Sequence, residues 1–366
     1  LMFSHRISMP APVAGLICST ILACLPKTSL AATTEIGGLL ETEMFFGETF
    51  DGESYSDLVL ATIEVGLDAE ITNWFSGHVL LLHEESSDNI PHLHAQGQTG
   101  MLVDEAYIEF GNPFLSSFSL QVGHIYIPFG NYQTNMVSDP FTLEIGESRE
   151  SAIVLNYDRN FYFSLYMFNG DLMEGGGDNA IDNMGVNLGY AYQGDTISFD
   201  IGVGYINNIK ETDGLSNSII NNRDTLNESI PGLFPDPVEV EEYTAGIATH
   251  LVFNWGNITF IGELVAAMDD FAADELYASK VAKPSASNVE VAYSINDNLT
   301  MALGFQNSVD MAGYLPENRT IFGVSYQLDT GTSLAFEFAS DKDFGASDGG
   351  SGESASTTTI QLAAEF

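Results

Sequence analysis

The chain has 366 residues, 51 acidic and 10 basic, which gives a net charge of −41, and 45% of its residues are hydrophobic. This charge balance argues against nucleic acid as a partner and against a phosphate pocket built from several lysines. The hydrophobic fraction, arranged in alternating segments, argues against disorder. The acidic balance favours cations, or partners held by divalent bridging, and the carboxylates are spread along the chain rather than gathered in a tail.

The first residues have the pattern of an export signal. A basic start precedes an apolar run over 10–25, and small residues follow up to Ala32. This pattern predicts a secretory signal peptide over 1–32 and an exported domain over 33–366. A lipoprotein signal that ends at Cys24 is the alternative.

Cysteine usage narrows the chemistry of the exported domain. Cys18 and Cys24 are the two cysteines of the chain, and both fall inside the predicted signal. The sequence therefore predicts a mature domain without disulfides, cysteine nucleophiles or cysteine-bound metals. Such an exported domain suits a barrel whose stability comes from a closed backbone ladder.

From Glu35 onward, short segments alternate between apolar and polar residues. In the segment 57–71, we expect every second residue from Val59 to Ile71 to lie on one uniformly apolar face. About sixteen such segments occur, at 35–46, 57–71, 75–84, 102–110, 117–127, 151–157, 161–169, 183–192, 196–206, 243–253, 257–268, 286–295, 299–307, 318–328, 332–341 and 356–366. The sequence therefore predicts an all-β fold, a closed transmembrane antiparallel β-barrel of about 16 strands.

The connections between these segments alternate in length. Short ones fall at 72–74, 111–116, 158–160, 193–195, 254–256, 296–298 and 329–331. Long ones fall between them, at 47–56, 86–101, 170–182, 207–242, 269–285 and 342–355. This asymmetry predicts short periplasmic turns and long extracellular loops, with 207–242 as a long exposed loop on the extracellular side.

One connection differs from the others. The stretch 123–151 carries Pro128 and Pro140 together with Gly130 and Gly146, and it has the pattern of neither a turn nor a helix. We expect 128–150 to be a fixed loop that folds into the barrel and narrows a pore; a plain surface loop is the alternative. The candidate constriction residues are Asp139, Glu144, Glu147, Arg149 and Glu150, with Arg149 as the counter-charge.

A barrel of this size has a lumen wide enough for water. The candidate carboxylates of the lumen wall are Glu41, Glu43, Glu64, Asp68, Glu70, Glu105, Glu109, Asp200 and Glu263. Clustered acids raise the local concentration of cations, so we expect a water-filled channel that favours cations. For any single wall carboxylate, a solvated side chain with no selective role is the alternative.

Two other classes of function stay open. His92 and His94 are two residues apart and could share a metal, but the sequence fixes no third ligand and contains no G-x-S-x-G motif. The sequence therefore predicts no catalytic residue, metal site or cofactor, and an outer-membrane hydrolase is an alternative. The other alternative is an adhesive or structural barrel that acts through loops such as 207–242 and 342–355.

Several phrases of the sequence resemble a known family. They are Gly-His-Ile-Tyr-Ile-Pro-Phe-Gly at 123–130, Asn-Met-Val-Ser-Asp-Pro at 135–140, Leu-Glu-Ile-Gly-Glu at 143–147 and Trp-Phe-Ser-Gly-His-Val-Leu-Leu-Leu-His-Glu at 74–84. They are similar to the LbtU-type siderophore porins, relatives of the phosphate-selective porins. The resemblance implies a TonB-independent outer-membrane porin that admits ferric siderophore.

The resemblance also implies partners, within a limit set by charge. The phosphate-selective relatives depend on basic pore residues, whereas this chain keeps eight Lys or Arg once Arg6 and Lys27 leave with the signal (10 − 2). We expect as partners the lipid and lipopolysaccharide of the outer membrane, small polar solutes or ferric siderophore, and no nucleic acid. A homotrimer is left open.

Overall fold

The structure is a computed structural model and describes residues 33–85, 100–112, 116–174, 181–229, 239–240, 242–277 and 280–366. The predicted signal peptide and the pair His92 and His94 lie outside these residues. Sixteen strands form the barrel: β1 (Thr33–Glu48), β2 (Ser54–Thr72), β3 (Phe75–Glu84), β4 (Leu102–Gly111), β5 (Phe118–Tyr126), β6 (Arg149–Tyr157), β7 (Phe161–Asn169), β9 (Asn183–Gln193), β10 (Ile197–Ile206), β12 (Gly246–Trp255), β13 (Ile258–Ala267), β14 (Ser285–Asn296), β15 (Leu299–Val309), β16 (Asn318–Asp329), β17 (Thr332–Lys342) and β18 (Ser354–Glu365).

The remaining elements lie in the connections. The helices are α1 (Phe141–Gly146) and α2 (Asp213–Ser229), and a 3₁₀ turn covers Ile209–Glu211. Two short strands, β8 (Met173–Glu174) and β11 (Glu239–Val240), pair in parallel apart from the barrel. Within the described residues, no helix has the length and apolar character needed to cross a membrane.

Each barrel strand pairs antiparallel with the next one along the chain, and the ring closes where β1 meets β18. At the seam Leu39 lies opposite Glu365, and the register continues to Glu48 opposite Ser356. Closure leaves no strand edge with unpaired backbone groups, which a bilayer would not tolerate. The predicted closed antiparallel barrel of 16 strands is confirmed.

The outer face of the barrel is apolar. On β17, Leu334, Phe336 and Phe338 are 40–42% exposed, whereas the intervening Ala335 and Glu337 are 6% and 2% exposed. A soluble protein would bury such large apolar side chains, but lipid solvates them. The alternation predicted from the sequence therefore separates a lipid-facing side from an inner side.

A β-bulge reverses part of this pattern in β2. Glu41 pairs with Thr62 but Glu43 pairs with Val59, so β2 carries one extra residue at this point. An extra residue shifts the alternation, so that side chains at odd positions face opposite sides of the sheet before and after the bulge. The prediction that Val59 and Ala61 belong to the outer apolar face is therefore wrong: they are 6% and 9% exposed and pack inside against Phe45.

The longest connections share one rim of the barrel. They are 127–148, 207–245, 268–284, 310–317 and 343–353, together with 85–101 and 170–182. The prediction that 207–242 is an exposed loop is wrong for its described part. Ile209, Leu215 and Ile219 are fully buried, because the 3₁₀ turn and α2 fold onto the mouth of the barrel.

The inner face was expected to be polar, and in one half of the mouth it is not. Val154, Phe168, Ile206 and Val265 point inward from β6, β7, β10 and β13, and each is at most 1% exposed. They form a single apolar cluster with residues of the 127–148 connection and of α2. Folded connections cover these inward side chains, so apolar residues can replace polar ones at that level.

Candidate functional site

The connection between β5 and β6, residues 127–148, runs along the inner face of the barrel; we call it the inward segment. It was predicted to contain no helix, and that is wrong, because α1 occupies its second half. Phe141 and Ile145 are one turn apart in α1 and are 1% and 0% exposed. The backbone carbonyl of Pro140 accepts from Leu143 N at 2.9 Å and so begins the helix.

Three carboxylates from the barrel wall hold the first half of the inward segment. Glu263 on β13 accepts hydrogen bonds from the backbone N–H groups of Asn131 at 2.8 Å and Tyr132 at 3.0 Å, and from the Thr142 hydroxyl at 2.8 Å. Extended backbone inside a barrel has no strand partner for its N–H groups. A carboxylate can accept several of them in strong charge-assisted bonds.

The same arrangement recurs twice further along the segment. Glu290 on β14 accepts from the Thr134 hydroxyl at 2.7 Å and from Asn135 N at 2.9 Å. Glu337 on β17 accepts from Val137 N at 2.6 Å and Ser138 N at 3.1 Å. We call Glu263, Glu290 and Glu337 the anchor carboxylates.

Of the three anchor carboxylates, only Glu263 was predicted to lie on the lumen wall. It is 6% exposed, because the inward segment covers it. Glu290 and Glu337 were missed. The apolar/polar alternation of β14 and β17 predicts that both side chains face inward. Their roles were not predictable, because the segment that they bind comes from a distant part of the chain.

A second contact holds the C-terminal end of α1. The hydroxyl of Thr212 donates to the Ile145 carbonyl at 3.0 Å, and the N–H of Asp213 donates to the Glu147 carbonyl at 2.8 Å. These bonds satisfy carbonyls that the last turn of a helix leaves without partners. The start of α2 lies so close to α1 that a Cβ on residue 214 would be 1.8 Å from the backbone carbonyl oxygen of Glu144. Only glycine fits at position 214.

The inward segment carries three acids: Asp139 is exposed, and Glu144 and Glu147 are half-buried. Burial, followed by repulsion from Asp139, raises the pKa of Glu144 to about 7. Asp139 also interacts electrostatically with Glu41 and Glu43 on β1. The structure therefore brings one predicted constriction residue, Asp139, close to two predicted wall carboxylates and to a second constriction residue, Glu144.

Two further predicted constriction residues, Arg149 and Glu150, do not join this group. Arg149 forms an ion pair with Asp104, which is fully buried, and its guanidinium lies 5.8 Å from the Tyr126 ring. It is therefore engaged on β4 and β5 rather than with Asp139. Glu150 is 8% exposed on β6 and lies near Glu211 instead.

A second arginine, missed from the sequence, lies next to α1. Arg319 on β16 forms a two-pronged ion pair with Asp341 on β17, at 2.8 and 3.3 Å. Its guanidinium stacks over the Phe141 ring of α1, 4.9 Å from the centre of the ring. Arg319 and Asp341 are direct cross-strand neighbours. Their opposite charges would therefore have predicted the ion pair, given the register of β16 and β17.

Most of the predicted wall carboxylates lie on β1 to β4, and the structure records polar partners for several of them. Asp68 lies 2.8 Å from His78 Nδ1, and Glu109 accepts from Gln121 at 2.8 Å. The other contacts pair Glu43 with Gln361 at 2.8 Å, Asp200 with Tyr162 at 2.8 Å and Glu105 with His78 at 3.7 Å. Glu41 and Glu64 are half-buried, and Glu70 is exposed near the short-turn rim.

In the part of the chain that the structure describes, no group of three or more His, Asp or Glu side chains is arranged to hold a metal.

The relatives found by sequence are uncharacterised proteins, and no protein-family profile matches the chain. A UPF0422 protein of Coxiella burnetii is 24% identical over 317 residues, which is 84% of this chain and 64% of that protein. The UPF0422 protein lpl2888 of Legionella pneumophila is 24% identical over 372 residues, 93% of this chain and 67% of that protein. The chain thus spans about two thirds of the length of these relatives.

Solved structures show the fold. An anion-selective porin from Comamonas acidovorans aligns with a TM-score of 0.63 and 11% identity, covering 92% of this chain and all of that one. The outer-membrane channel DcaP of Acinetobacter baumannii gives 0.59 and 14%, over 92% and 97% of the two chains. The trimer form of Vibrio cholerae OmpT gives 0.52 and 12%, over 92% and 100%. The chain is a 16-strand barrel of the porin type, located in the bacterial outer membrane.

Proposed function

We propose that this protein is a passive porin whose water-filled channel favours cations. The observation that carries the proposal is the pairing of acids across the lumen: Asp139 on the inward segment lies near Glu41 and Glu43 on β1, and Glu144 lies near Asp139. Acids on both sides of a narrow passage attract cations and repel anions. Arg149 and Arg319 do not offset this field fully, because each is paired with a buried aspartate.

In this proposal the segment 128–150 is the constriction loop. The rim with the long connections faces the extracellular side and the short turns face the periplasm, after removal of residues 1–32 as a signal peptide. Support comes from the anchor carboxylates, which fix the segment at one level of the barrel, and from the usual layout of outer-membrane barrels.

Ferric siderophore as a solute is a finer proposal, supported by the resemblance to the LbtU-type porins. The acidic passage adds a restriction on it, because a complex with net negative charge is repelled at Asp139 and Glu144. Uptake would therefore favour neutral or cationic complexes. It would need no energy coupling, since the channel is open to diffusion.

We propose no catalytic role. The polar group on β7, β10 and β12 consists of Tyr162, Asp200 and His250, in which the Tyr162 hydroxyl lies 2.8 Å from Asp200 and 3.2 Å from His250. It offers a base, but among the residues that the structure describes its hydrogen bonds and ion pairs include no serine or cysteine nucleophile. For quaternary structure we propose a homotrimer, supported by the trimer form of the similar Vibrio cholerae barrel; cross-linking in native outer membranes tests this.

The experiment that tests the function is reconstitution of the purified protein in planar bilayers and in liposomes. A porin gives discrete current steps, and liposomes swell in small neutral sugars at rates that fall with sugar size. Ester hydrolysis by the same preparation is measured in parallel. Ester turnover without current steps would replace the porin assignment with that of an enzyme.

A further inference from the structure

We infer that solutes pass through an off-axis slot along β1 to β4, because folded connections close the opposite half of the lumen. We call the closed half the plug; it consists of the inward segment, the described residues 207–229 and the connections 268–277 and 310–317. This inference rests on the proposed function as a channel. It adds which residues a solute meets.

The plug has an apolar core of its own. Phe129, Phe141, Ile145, Leu215 and Ile219 are each at most 1% exposed, although they belong to connections rather than strands. They pack in one cluster against the inward apolar side chains of the barrel wall. An apolar core packed to this degree leaves no path for water or for ions.

Glycine allows the plug to sit close to the wall. A Cβ on residue 204 of β10 would lie 1.8 Å from the carbonyl oxygen of Phe129. The segment therefore rests directly on the backbone of the strand at this point. Because even a methyl group would not fit between them, the plug and the wall leave no gap on the β10 side.

Polar contacts join the connections of the plug into one body. Lys210 lies 2.7 Å from Glu275, and both side chains are almost completely buried. Arg223 pairs with Asp274 at 3.2 Å, and the Tyr314 hydroxyl donates to the Ser218 carbonyl at 3.2 Å. Because separating a buried ion pair leaves charges without partners, these contacts oppose opening of the plug.

The opposite half of the lumen keeps its polar wall. Glu41, Glu43, Glu64 and Glu105 on β1, β2 and β4 are partly exposed, and Asp139 is exposed on the side of the inward segment that faces β1. A cation that crosses the barrel would therefore meet these acids in succession. We assign the selectivity of the channel to this slot and none of it to the wall of β7.

Cysteine labelling of folded channels in bilayers tests the assignment. The background carries Cys18→Ser and Cys24→Ser, and single cysteines are introduced by Glu43→Cys in the slot and by Ser164→Cys on β7. The probe is a methanethiosulfonate reagent with a trimethylammonium group, added after each channel is conducting. Mass spectrometry of the recovered protein reports which cysteine has reacted.

The reagent is expected to lower the cation current of the Glu43→Cys channel by about twofold or more, since it adds bulk and positive charge to the path. The Ser164→Cys channel is expected to keep its current, whether the reagent reacts there or fails to reach it. Equal block at both positions, or block at residue 164 alone, overturns the slot. If unlabelled channels carry no current, the proposed porin function falls as well, and that result is distinct from a reversed pattern of block.

Discussion

The backbone N–H of Tyr132 donates a 3.0 Å hydrogen bond to the carboxylate of Glu263, which lies 131 positions further along the chain. Tyr132 also has a φ of 55°, in the left-handed region that non-glycine residues rarely occupy. The wall carboxylate therefore holds the inward segment in a backbone conformation that it would not keep alone. This contact ties the position of the segment to a single residue of the barrel wall.

Replacing Glu263 with Ala is expected to loosen the inward segment and raise single-channel conductance. Hydrogen bonds to a charged group contribute about 1.5–3 kcal/mol each, and Glu263 accepts bonds from three residues of the segment. Conductance and current noise are measured in planar bilayers. Glu70→Ala is the matched control, because Glu70 is an exposed wall acid. An unchanged conductance in Glu263→Ala would show that the anchor does not position the segment.

Replacing Gly204 with Ala is expected to destabilise the barrel by about 1–3 kcal/mol, the usual cost of overpacking. The added methyl group meets the Phe129 carbonyl at 1.8 Å and must push the segment away from β10. Gly77→Ala is the control, since a Cβ at this position on β3 has no atom within 4 Å. The measurement is thermal unfolding in detergent. Equal midpoints for the two variants would contradict the close contact.

Replacing Arg149 with Met is expected to cost about 3–5 kcal/mol, because it leaves the charge of Asp104 buried without its partner. Asp104 has no exposed surface. The double variant Asp104→Asn/Arg149→Met is expected to recover much of the loss. Arg159→Met, at an exposed turn, serves as the control. A double variant as unstable as the single one would mean that the ion pair is not what stabilises this site.

Cation preference is expected to weaken as the pH falls through about 7, where burial and repulsion from Asp139 place the pKa of Glu144. The raised pKa means that the side chain is neutral below this value and negative above it. Arg319 opposes the shift, and the charge of Glu84 on β3 adds to it. Selectivity is measured between pH 5.5 and 8.5. The step is expected to be smaller in the Glu144→Gln channel, and a step of unchanged size in that variant would contradict the assignment.

Two acids of the plug also have raised pKa values, and these make the stability of the plug depend on pH. Burial raises the pKa of Glu211 to about 7 and that of Asp213 to about 6. The folded protein therefore binds protons more tightly than the unfolded chain at these two sites. Their contribution to stability is present below the unfolded pKa values and is lost as the pH rises through 6 to 7. Proteolysis of the 207–229 region is expected to be faster at pH 8 than at pH 5.5.

Much of the barrel could be predicted because lipid imposes a simple pattern. Each strand needs an apolar side chain at every second position, and β17 keeps to this rule along most of its length. The rule fails at Val59, because a bulge depends on the pairing of β1 with β2 and leaves little trace in β2 alone. Local alternation therefore identifies strands but does not settle which residues face inward near a bulge.

The plug was harder to predict, for a physical reason. Helix α2 is rich in Asn and Ser, and its buried residues Leu215 and Ile219 are too few to give a clear helical pattern. Its helical structure is supported by contacts with α1 and with distant connections. The roles of Glu290 and Glu337 depend likewise on which segment crosses the lumen. The spacing of Leu215 and Ile219 by one turn was the one local signal available.

The central claim is that acids on the inward segment and on the facing wall give the channel a preference for cations. Its most direct test is the reversal potential of a single channel under a tenfold KCl gradient at pH 8. We expect a reversal potential of the sign that shows potassium to be more permeable than chloride. Its magnitude should be smaller in the Asp139→Asn and Glu43→Gln channels. A potential of the sign set by chloride in the unmodified channel would contradict it.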